Sequence, residues 1–439
     1  MKRYFIVLTA AIFAITIFGM AAMSSPIAKK NLKRKSDPVI IAGQKIEPMT
    51  GVSPEKIRMY AAGSNGVLKP IPYQIDERDE NGDLIFPFGP KKSKDSNPDF
   101  DANDELVFMA KDAGARVARK AWPKDALKGA GIEIEDPLDG SRAWAYAFAF
   151  DSPPARSDVV YASISKDSMK ITTPNFSTQF CKEAPIAFCA IALTPAGGGD
   201  GQNYIDRLKV RVSVTPKLIN VCIEKSENDF ASELIAYING PVRVIRRTNN
   251  KMMLFGRIPS PGSIVDNVYY YDQFIFPTVI DVPFDMATFL REMKFRVTTD
   301  HNRRAIGKRF VNSNNPKGVA IDGKMSPEEK NLNLDPYKWM IIHGTEPGKR
   351  GGWLNRIYYD EGIKAQPYLY YMDDAKALDP PETDPGQIGN IGYDIRYMET
   401  LTKGTWRLTS YMYNIPDYHP GAEKEFLNIL DHPLKISIK

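Results

Sequence analysis

A two-residue alternation of apolar and polar side chains is the feature that most constrains the fold of this chain. In Leu208–Val214 every second residue is apolar, and Met293–Val297 repeats the pattern with Lys294 and Arg296 on the other face. In Trp144–Phe150 the large aromatic residues share one face and the alanines share the other. This period is typical of strands that place one face on a core and the other toward water. The chain is therefore predicted to be built mainly from half-buried strands.

Other segments extend this prediction, and helices are few. Ser326–Glu329 forms a capping box with proline at the first helical position, and a second helix is predicted within Phe284–Glu292. No alternation of strands with helices appears, which disfavours a parallel doubly wound sheet. The sequence predicts an all-β fold: a large antiparallel β-sandwich, with an N-terminal β-sandwich module and few short helices. Further strands are predicted at 38–42, 106–110, 159–163, 186–193, 234–238, 242–245, 368–372 and 407–413.

The N-terminus has the layout of a secretory signal peptide. Lys2 and Arg3 precede the uncharged apolar run Tyr4–Ala22, and small residues follow it. We expect a signal peptide over 1–24, an N-terminal module over 25–152 and a large domain over 153–439. The expected location is periplasmic or extracellular. If this run is not cleaved, it is long enough to span a bilayer. The sequence predicts no other association with a membrane.

Charge and cysteine content narrow the classes of function. The net charge is +5 over 439 residues and is evenly spread, so nucleic-acid binding is not expected. Three cysteines occur, Cys181, Cys189 and Cys222. In an oxidising compartment two of them could form a disulfide and leave one thiol, and buried unpaired thiols are the alternative. The pairing stays open at the level of sequence.

An acidic segment offers oxygen ligands for a calcium site. Asp99, Asp101, Asn103 and Glu105 place oxygen ligands at alternate positions, which can converge on a hard cation. The glycine expected at the sixth position of such a loop and the glutamate expected at the twelfth are both absent. The alternative is a polar turn before a strand. The four histidines show no zinc or iron spacing, and Gly-x-Ser-x-Gly is missing, so no further cofactor and no catalytic residue is predicted.

The C-terminal half is rich in tyrosine and tryptophan. Aromatic faces can stack on sugar rings, and nearby carboxylates and arginines could bind hydroxyl groups or act as acid and base. Packing inside a core is the alternative for most of these aromatics, because neighbours in a strand point to opposite faces. The predicted ligand-binding residues are Trp353, Arg356, Tyr358, Tyr370, Asp373 and Asp374.

Three segments carry a resemblance to known proteins. Ile71–Asp76, Asp101–Ala110 and Asn239–Arg246 resemble uncharacterised secreted or periplasmic β-sandwich proteins of Gram-negative bacteria, over about a tenth of the chain. Part of the pattern is similar to galactose-mutarotase-like sandwiches associated with polysaccharide use. The resemblance implies a large sandwich, with the mutarotase-like supersandwich as one form that it takes. This chain lacks a histidine–glutamate pair matching mutarotase chemistry, so no catalytic residue is implied.

These observations lead to one leading hypothesis and two alternatives. The leading one is an exported β-sandwich protein that binds a polysaccharide or envelope glycan, without a specific reaction. The first alternative is a structural or assembly subunit of a cell-envelope complex. The second is a carbohydrate-active enzyme, a lyase or an isomerase. Whether the protein is an enzyme stays open.

Overall fold

A computed structural model describes residues 29–439, except 168, 220, 256–257 and 260–261. The predicted signal peptide lies outside these residues. The described strands pair antiparallel in five sheets, and only two α-helices accompany them in this part of the chain. The all-β prediction is therefore confirmed. Over the same residues, neither helix has the length and apolar character needed to cross a bilayer.

The N-terminal module is a small sandwich closed by the far end of the chain. One sheet has the order β1-β5-β4 and the other β27-β6-β7-β2-β3, and both pack around one apolar core. Strand β27 (Lys435–Ile438) pairs with β6 although about three hundred residues of chain separate them. The first seven strands are β1 (Pro38–Ala42), β2 (Ile57–Ala62), β3 (Leu68–Pro70), β4 (Gln74–Asp76), β5 (Glu105–Met109), β6 (Lys128–Glu135) and β7 (Arg142–Ala149).

The larger unit contains three sheets. A ten-stranded sheet has the order β14-β15-β17-β18-β26-β23-β22-β20-β21 with β16 on β15, a five-stranded sheet has the order β13-β12-β19-β25-β24, and a four-stranded sheet has the order β11-β10-β9-β8. Its strands are β8 (Ser163–Ile164), β9 (Lys170–Thr172), β10 (Phe176–Phe180), β11 (Phe188–Leu193), β12 (Ile205–Pro216), β13 (Ile223–Ser226), β14 (Phe230–Asn239), β15 (Val244–Phe255), β16 (Ile258–Pro259), β17 (Ser263–Tyr269), β18 (Gln273–Val282), β19 (Leu290–His301), β20 (Arg309–Asn312), β21 (Val319–Ala320), β22 (Met340–His343), β23 (Gly352–Tyr359), β24 (Gln366–Asp374), β25 (Gln387–Arg396) and β26 (Gly404–Ile415).

The ten-stranded sheet forms one layer, and the two smaller sheets pack on its inner face. The helix predicted from the capping box is α1 (Pro327–Lys330), in which the Ser326 hydroxyl accepts the Glu329 N–H at 3.2 Å. Helix α2 (Glu423–Asp431) lies on the outer face of the large sheet, where Phe426 and Ile429 join a core cluster. Its apolar residues repeat at helical spacing, so one stripe of the helix is buried.

Two predicted elements are wrong. Phe284–Glu292 is not an α-helix: a short 3₁₀ turn at Met286–Thr288 leads directly into β19. Here the cross-strand pairing of β19 with β12, which starts at Leu290, outweighs a weak local helical tendency. Segment 159–163 is a strand only at its last residue, because Val159 and Val160 are exposed and pair with no strand among the described residues.

Strand β7 shows the limit of reading burial from alternation. Its alanines face the core of the sandwich. One face of the strand was predicted to meet water, but the aromatic face is also buried, with Trp144, Tyr146 and Phe148 in a second cluster. The ring of Trp122, from the loop before β6, lies 5.2 Å from that of Phe148 and covers this face. The alternation shows which side chains share a face of a strand. Whether that face is exposed to solvent depends on a loop that is distant from it in sequence.

Candidate functional site

An apolar cavity of about 420 Å³ lies between the five-stranded and the ten-stranded sheet. One wall carries Val212 of β12 and Phe295 of β19, and the facing wall carries Val265 of β17, Ile280 of β18 and Leu408 of β26. Ligand-binding pockets in proteins commonly have volumes of about 300–1,000 Å³ and mostly apolar walls. The cavity is therefore suited to an apolar group.

The cavity wall follows from strand register. Residues Val210, Val212 and Val214 pair with Val297, Phe295 and Met293 across β12 and β19. Directly opposed residues of an antiparallel pair project to the same side, so all six line one surface. The cavity also extends toward β25, where Ile391, Tyr393 and Ile395 line it, and toward β15, β17 and β18 of the facing sheet.

A small polar patch interrupts the apolar wall. Thr248 and Asn250 of β15 and Asn267 of β17 line the cavity and are buried. The Asn250 Nδ2 donates to the Thr248 hydroxyl at 3.1 Å. Among the described residues, the Oδ1 atoms of Asn250 and Asn267 have no hydrogen-bond donor. A buried acceptor left unpaired costs about 1–3 kcal/mol, so this patch is suited to a hydroxyl or amide donor on a bound molecule.

The cavity opens at one end of the sandwich, which we call the mouth. Pro216 and Ile223 border it where the β12–β13 turn begins and ends. Phe284 and Phe289 border it from the β18–β19 connection, are about half exposed, and have ring centroids 4.9 Å apart. The Lys217 N–H donates to the Phe289 carbonyl at 2.8 Å and joins these two connections.

The opposite face of the same five-stranded sheet carries a buried ionic network. The Lys209 amine lies 2.6 Å from an oxygen of Asp300 and 3.3 Å from an oxygen of Glu382. The Arg296 guanidinium lies 2.7 Å from Asp379, and Arg211 approaches the same carboxylate at 3.3 Å. The attraction between these opposite charges offsets part of the free energy that their removal from water costs.

Burial and charge act in different directions on two carboxyl groups of this network. Burial raises the pKa of Asp300 to about 7, although Lys209 opposes that shift. Burial also favours a raised pKa for Asp379, but Arg296, Arg211 and Lys209 outweigh it and hold this pKa below its usual value. Perturbed carboxyls of this kind occur in catalytic sites and in structural networks alike.

The loop at 375–386 covers this network. The Asp206 carboxylate accepts the N–H groups of Thr383 and Asp384 at 3.1 and 2.9 Å and fixes the loop to the start of β12. Gly386 closes the loop with a φ of 106°, and a Cβ on it would lie 2.3 Å from the Ala375 carbonyl oxygen. This proline-rich loop thus removes water from charged side chains.

A second, polar pocket of about 130 Å³ lies at the other end of β12. Asp200, Gln202 and Lys349 line it, together with Tyr204 and Lys308. The Lys308 amine lies 4.5 Å from the centre of the Tyr204 ring, and burial lowers the pKa of this lysine. The glycine-rich loop 197–201 contributes Gly199 and Asp200 to this pocket.

The six residues predicted to bind a ligand are not brought together. Trp353 is buried, with its ring 4.9 Å from those of Phe176 and Phe274. On the other face of β23, Arg356 and Tyr358 bind the Asp431 carboxylate of α2 at 2.8 and 3.0 Å. These contacts hold the helix on the sheet.

The remaining three lie on β24. The Tyr370 hydroxyl donates to Gln387 at 2.9 Å, and the Arg296 guanidinium lies 4.2 Å from its ring centre, within the ionic network. Asp373 is fully buried and accepts the N–H groups of Asp322, Gly323 and Gly389. Asp374 accepts the Lys376 N–H in a turn at 2.9 Å. No common surface joins these side chains with Trp353.

The predicted calcium ligands form a turn and an interface between modules. The Asp101 carboxylate accepts the Asn103 N–H at 3.1 Å, while Asp99 is exposed. Glu105 binds Arg78 at 2.7 Å and Arg243 at 2.5 Å, and these arginines outweigh burial to lower the pKa of Glu105. In the part of the chain that the structure describes, no group of three or more histidine, cysteine, aspartate or glutamate residues is placed to hold a metal.

The structure shows which of the three cysteines are paired. Cys181 and Cys189 form a disulfide with Cα atoms 5.0 Å apart, and Cys222 is a free, exposed cysteine. Cys222 lies in the β12–β13 turn beside the mouth of the cavity. Cys181 directly follows β10 and Cys189 lies in β11, so the disulfide closes the connection between these two strands.

Sequence reasoning did not find the cavity. Its residues look like ordinary core positions, because Val212 and Phe295 occupy regular apolar sites of alternating strands. A signal was present in two places. Leu218, Ile219 and Val221 form an apolar turn, and Thr248, Asn250 and Asn267 are polar at positions where the alternation points inward.

Comparison with known proteins gives a weak likeness of fold. No family model matches the chain, and no curated protein matches it. The chain is similar to an α-mannosidase from Enterococcus faecalis V583, with a TM-score of 0.48, 10% identity and coverage of 94% of this chain and 45% of the other. It is also similar to the α-N-acetylgalactosaminidase NagBb from Bifidobacterium bifidum, with a TM-score of 0.35, 9% identity and coverage of 60% and 39%. The chain thus spans less than half the length of either protein, and likeness at this level defines no activity for it.

Proposed function

We propose that this protein binds an amphipathic molecule with a long apolar chain, such as the acyl chain of a lipid, between its two large sheets. The observation that carries this proposal is the 420 Å³ cavity with its aliphatic and aromatic wall. Burying a methylene group from water stabilises a complex by about 0.8 kcal/mol, so a chain of several methylenes gains substantial affinity here. We further propose that the protein acts outside the cytoplasm, in agreement with its predicted signal peptide and with the disulfide.

The polar patch supports an amphipathic ligand over a pure hydrocarbon. Two buried amide oxygens, on Asn250 and Asn267, face the cavity without donors among the described residues. A ligand carrying a hydroxyl or amide group within reach would satisfy at least one of them. Without such a ligand a water molecule would have to enter an otherwise apolar space, which needs two to four polar partners.

A fluorescence titration tests the proposal. Dansyl-labelled undecanoic acid added to the native protein is expected to bind with micromolar affinity or better and to shift its emission to the blue. Val265→Trp fills the cavity from the large sheet and is expected to weaken this binding at least tenfold. Leu127→Trp places the same side chain at an exposed position of the N-terminal module and is expected to leave binding unchanged.

A second variant examines the polar patch. Asn250→Leu keeps the volume of the side chain and removes the acceptor. It is expected to weaken binding of a hydroxylated or amide-bearing chain more than binding of a plain chain. Absence of probe binding to the native protein, or equal binding to Val265→Trp, would contradict the proposed function.

The glycan-binding function stays a prediction. In support of it, the polar pocket near Asp200 and Gln202 offers hydrogen-bonding groups of the kind that hydroxyl-rich ligands use. The aromatic residues originally assigned to stacking contribute little support, because Trp353 is buried and Tyr358 is bound to Asp431.

A further inference from the structure

The mouth of the cavity is surrounded by exposed apolar side chains, which we call the rim: Leu218, Ile219 and Val221 with Phe284 and Phe289. Leu218 is 96% exposed, Val221 60% and Phe289 52%. Single exposed apolar residues are ordinary on protein surfaces, whereas a group of them around one opening marks an interaction surface. Both connections that carry the rim begin and end at residues that line the cavity.

We infer that the rim inserts into a lipid bilayer, so that the ligand passes between bilayer and cavity without crossing water. This inference rests on the proposed function. A molecule with a long apolar chain resides in a bilayer rather than in free solution. A transfer path that stays apolar along its length avoids exposing that chain, and the rim is continuous with the cavity wall through Phe284 and Phe289.

The charge of the rim favours a bilayer over a charged partner. The turn from Lys217 to Cys222 contains one cation, and the connection from Pro283 to Leu290 contains one anion, Asp285. The two cancel, so attachment has to come from buried apolar surface. Such attachment is insensitive to salt, because screening acts on charges.

Flotation with vesicles tests the inference. The purified full chain is mixed with phosphatidylcholine vesicles at low and at high salt, and the bound fraction is measured. The double variant Leu218→Glu, Val221→Glu is expected to lower the vesicle affinity at least tenfold. Neither residue lines the cavity, so the binding of dansyl-undecanoic acid in solution is expected to stay unchanged. Leu127→Glu removes another exposed leucine, 63% exposed and away from the mouth, and is the control.

A second measurement reports on the rim alone, independently of the apolar run at 4–22. Cys222 is a free exposed thiol within the rim turn, whereas Cys181 and Cys189 are joined in a disulfide. An environment-sensitive fluorophore attached to Cys222 is expected to shift its emission to the blue when vesicles are added. The same label on the double variant is expected to show no shift.

The outcomes separate the two proposals. An unchanged Cys222 spectrum in a protein that still binds dansyl-undecanoic acid would overturn bilayer docking and leave the cavity function standing. Loss of probe binding as well would overturn the proposed function. Vesicle binding that disappears at high salt, or that Leu127→Glu weakens as much as the double variant does, would overturn docking through the rim. A blue shift that survives high salt supports it.

Discussion

The two faces of the five-stranded sheet β13-β12-β19-β25-β24 reverse the usual arrangement, in which apolar side chains are closed off from water and charged side chains are exposed. The outer face, rich in Lys209, Arg211 and Arg296, is closed over by a loop and holds charges away from water. The inner face, made of Val212 and Phe295, lies against an open cavity. The same alternation produced both faces. The two faces differ in what covers them, because a loop closes the outer face and the inner face borders the cavity. We therefore expect the outer face to contribute to stability and the inner face to binding.

The largest effect is expected from removing the central cation of the outer face. Lys209→Met leaves Asp300 and Glu382 buried without their amine, and breaking a buried pair in this way costs about 3–5 kcal/mol. Lys294→Met is the matched control on the same face, because the Lys294 side chain is 39% exposed and pairs with the exposed Glu292. Its expected effect is within about 0.5 kcal/mol. Denaturant unfolding followed by tryptophan fluorescence measures the free energy of unfolding of both variants. Equal losses for the two variants would contradict a stabilising role of the outer face.

The dependence of stability on pH tests the burial of Asp300 in the ionic network of the outer face. The pKa of Asp300 is raised to about 7 in the folded protein, so between pH 5 and 7 the folded state holds a proton that the unfolded state has released. The free energy of unfolding of the native protein, measured against Asp300→Asn, is therefore expected to fall as the pH rises through this window. The slope is on the order of 1 kcal/mol per pH unit. Parallel curves for the two proteins would show that Asp300 is not buried as described.

The smallest effect is expected on the inner face. Phe295→Ala removes a side chain that has open space on one side, so it is expected to cost less than about 2 kcal/mol. Phe148→Ala, in a closed aromatic cluster with Tyr60 and Trp122, is expected to cost about 3–5 kcal/mol. The ratio of the two values, from the same denaturant unfolding, tests whether the cavity is present in solution. A cost for Phe295→Ala equal to that for Phe148→Ala would indicate a closed core.

The strands were predictable from sequence because their signal is local. Leu208–Val214 and Met293–Val297 showed their inward and outward faces within a few residues, and both fall inside the observed β12 and β19. Burial of the outward faces was not predictable in this way. The carboxylates that surround Lys209 come from residues as distant as Glu382, and no local pattern indicates that such a loop will lie on this strand.

The candidate site was less predictable than the fold. The aromatic residues of the C-terminal half gave a strong compositional signal, but Trp353 faces the core and Tyr358 faces helix α2, because neighbouring positions of one strand point to opposite sides. The cavity depends on the distance between two sheets, which is a property of the whole sandwich. The polar residues Asn250 and Asn267, at inward positions of alternating strands, were one of the two signals that pattern analysis could have used.

The pairing of β27 with β6 has a consequence for the order of assembly. Ile436 and Ile438 lie opposite Ile134 and Ile132, in a module whose other strands all belong to the first 150 residues. During synthesis that module stays one strand short until β27 emerges, while the large domain is already available to fold. Strand β27 therefore couples completion of the first module to synthesis of the large domain that precedes it, so that the two modules are expected to unfold together.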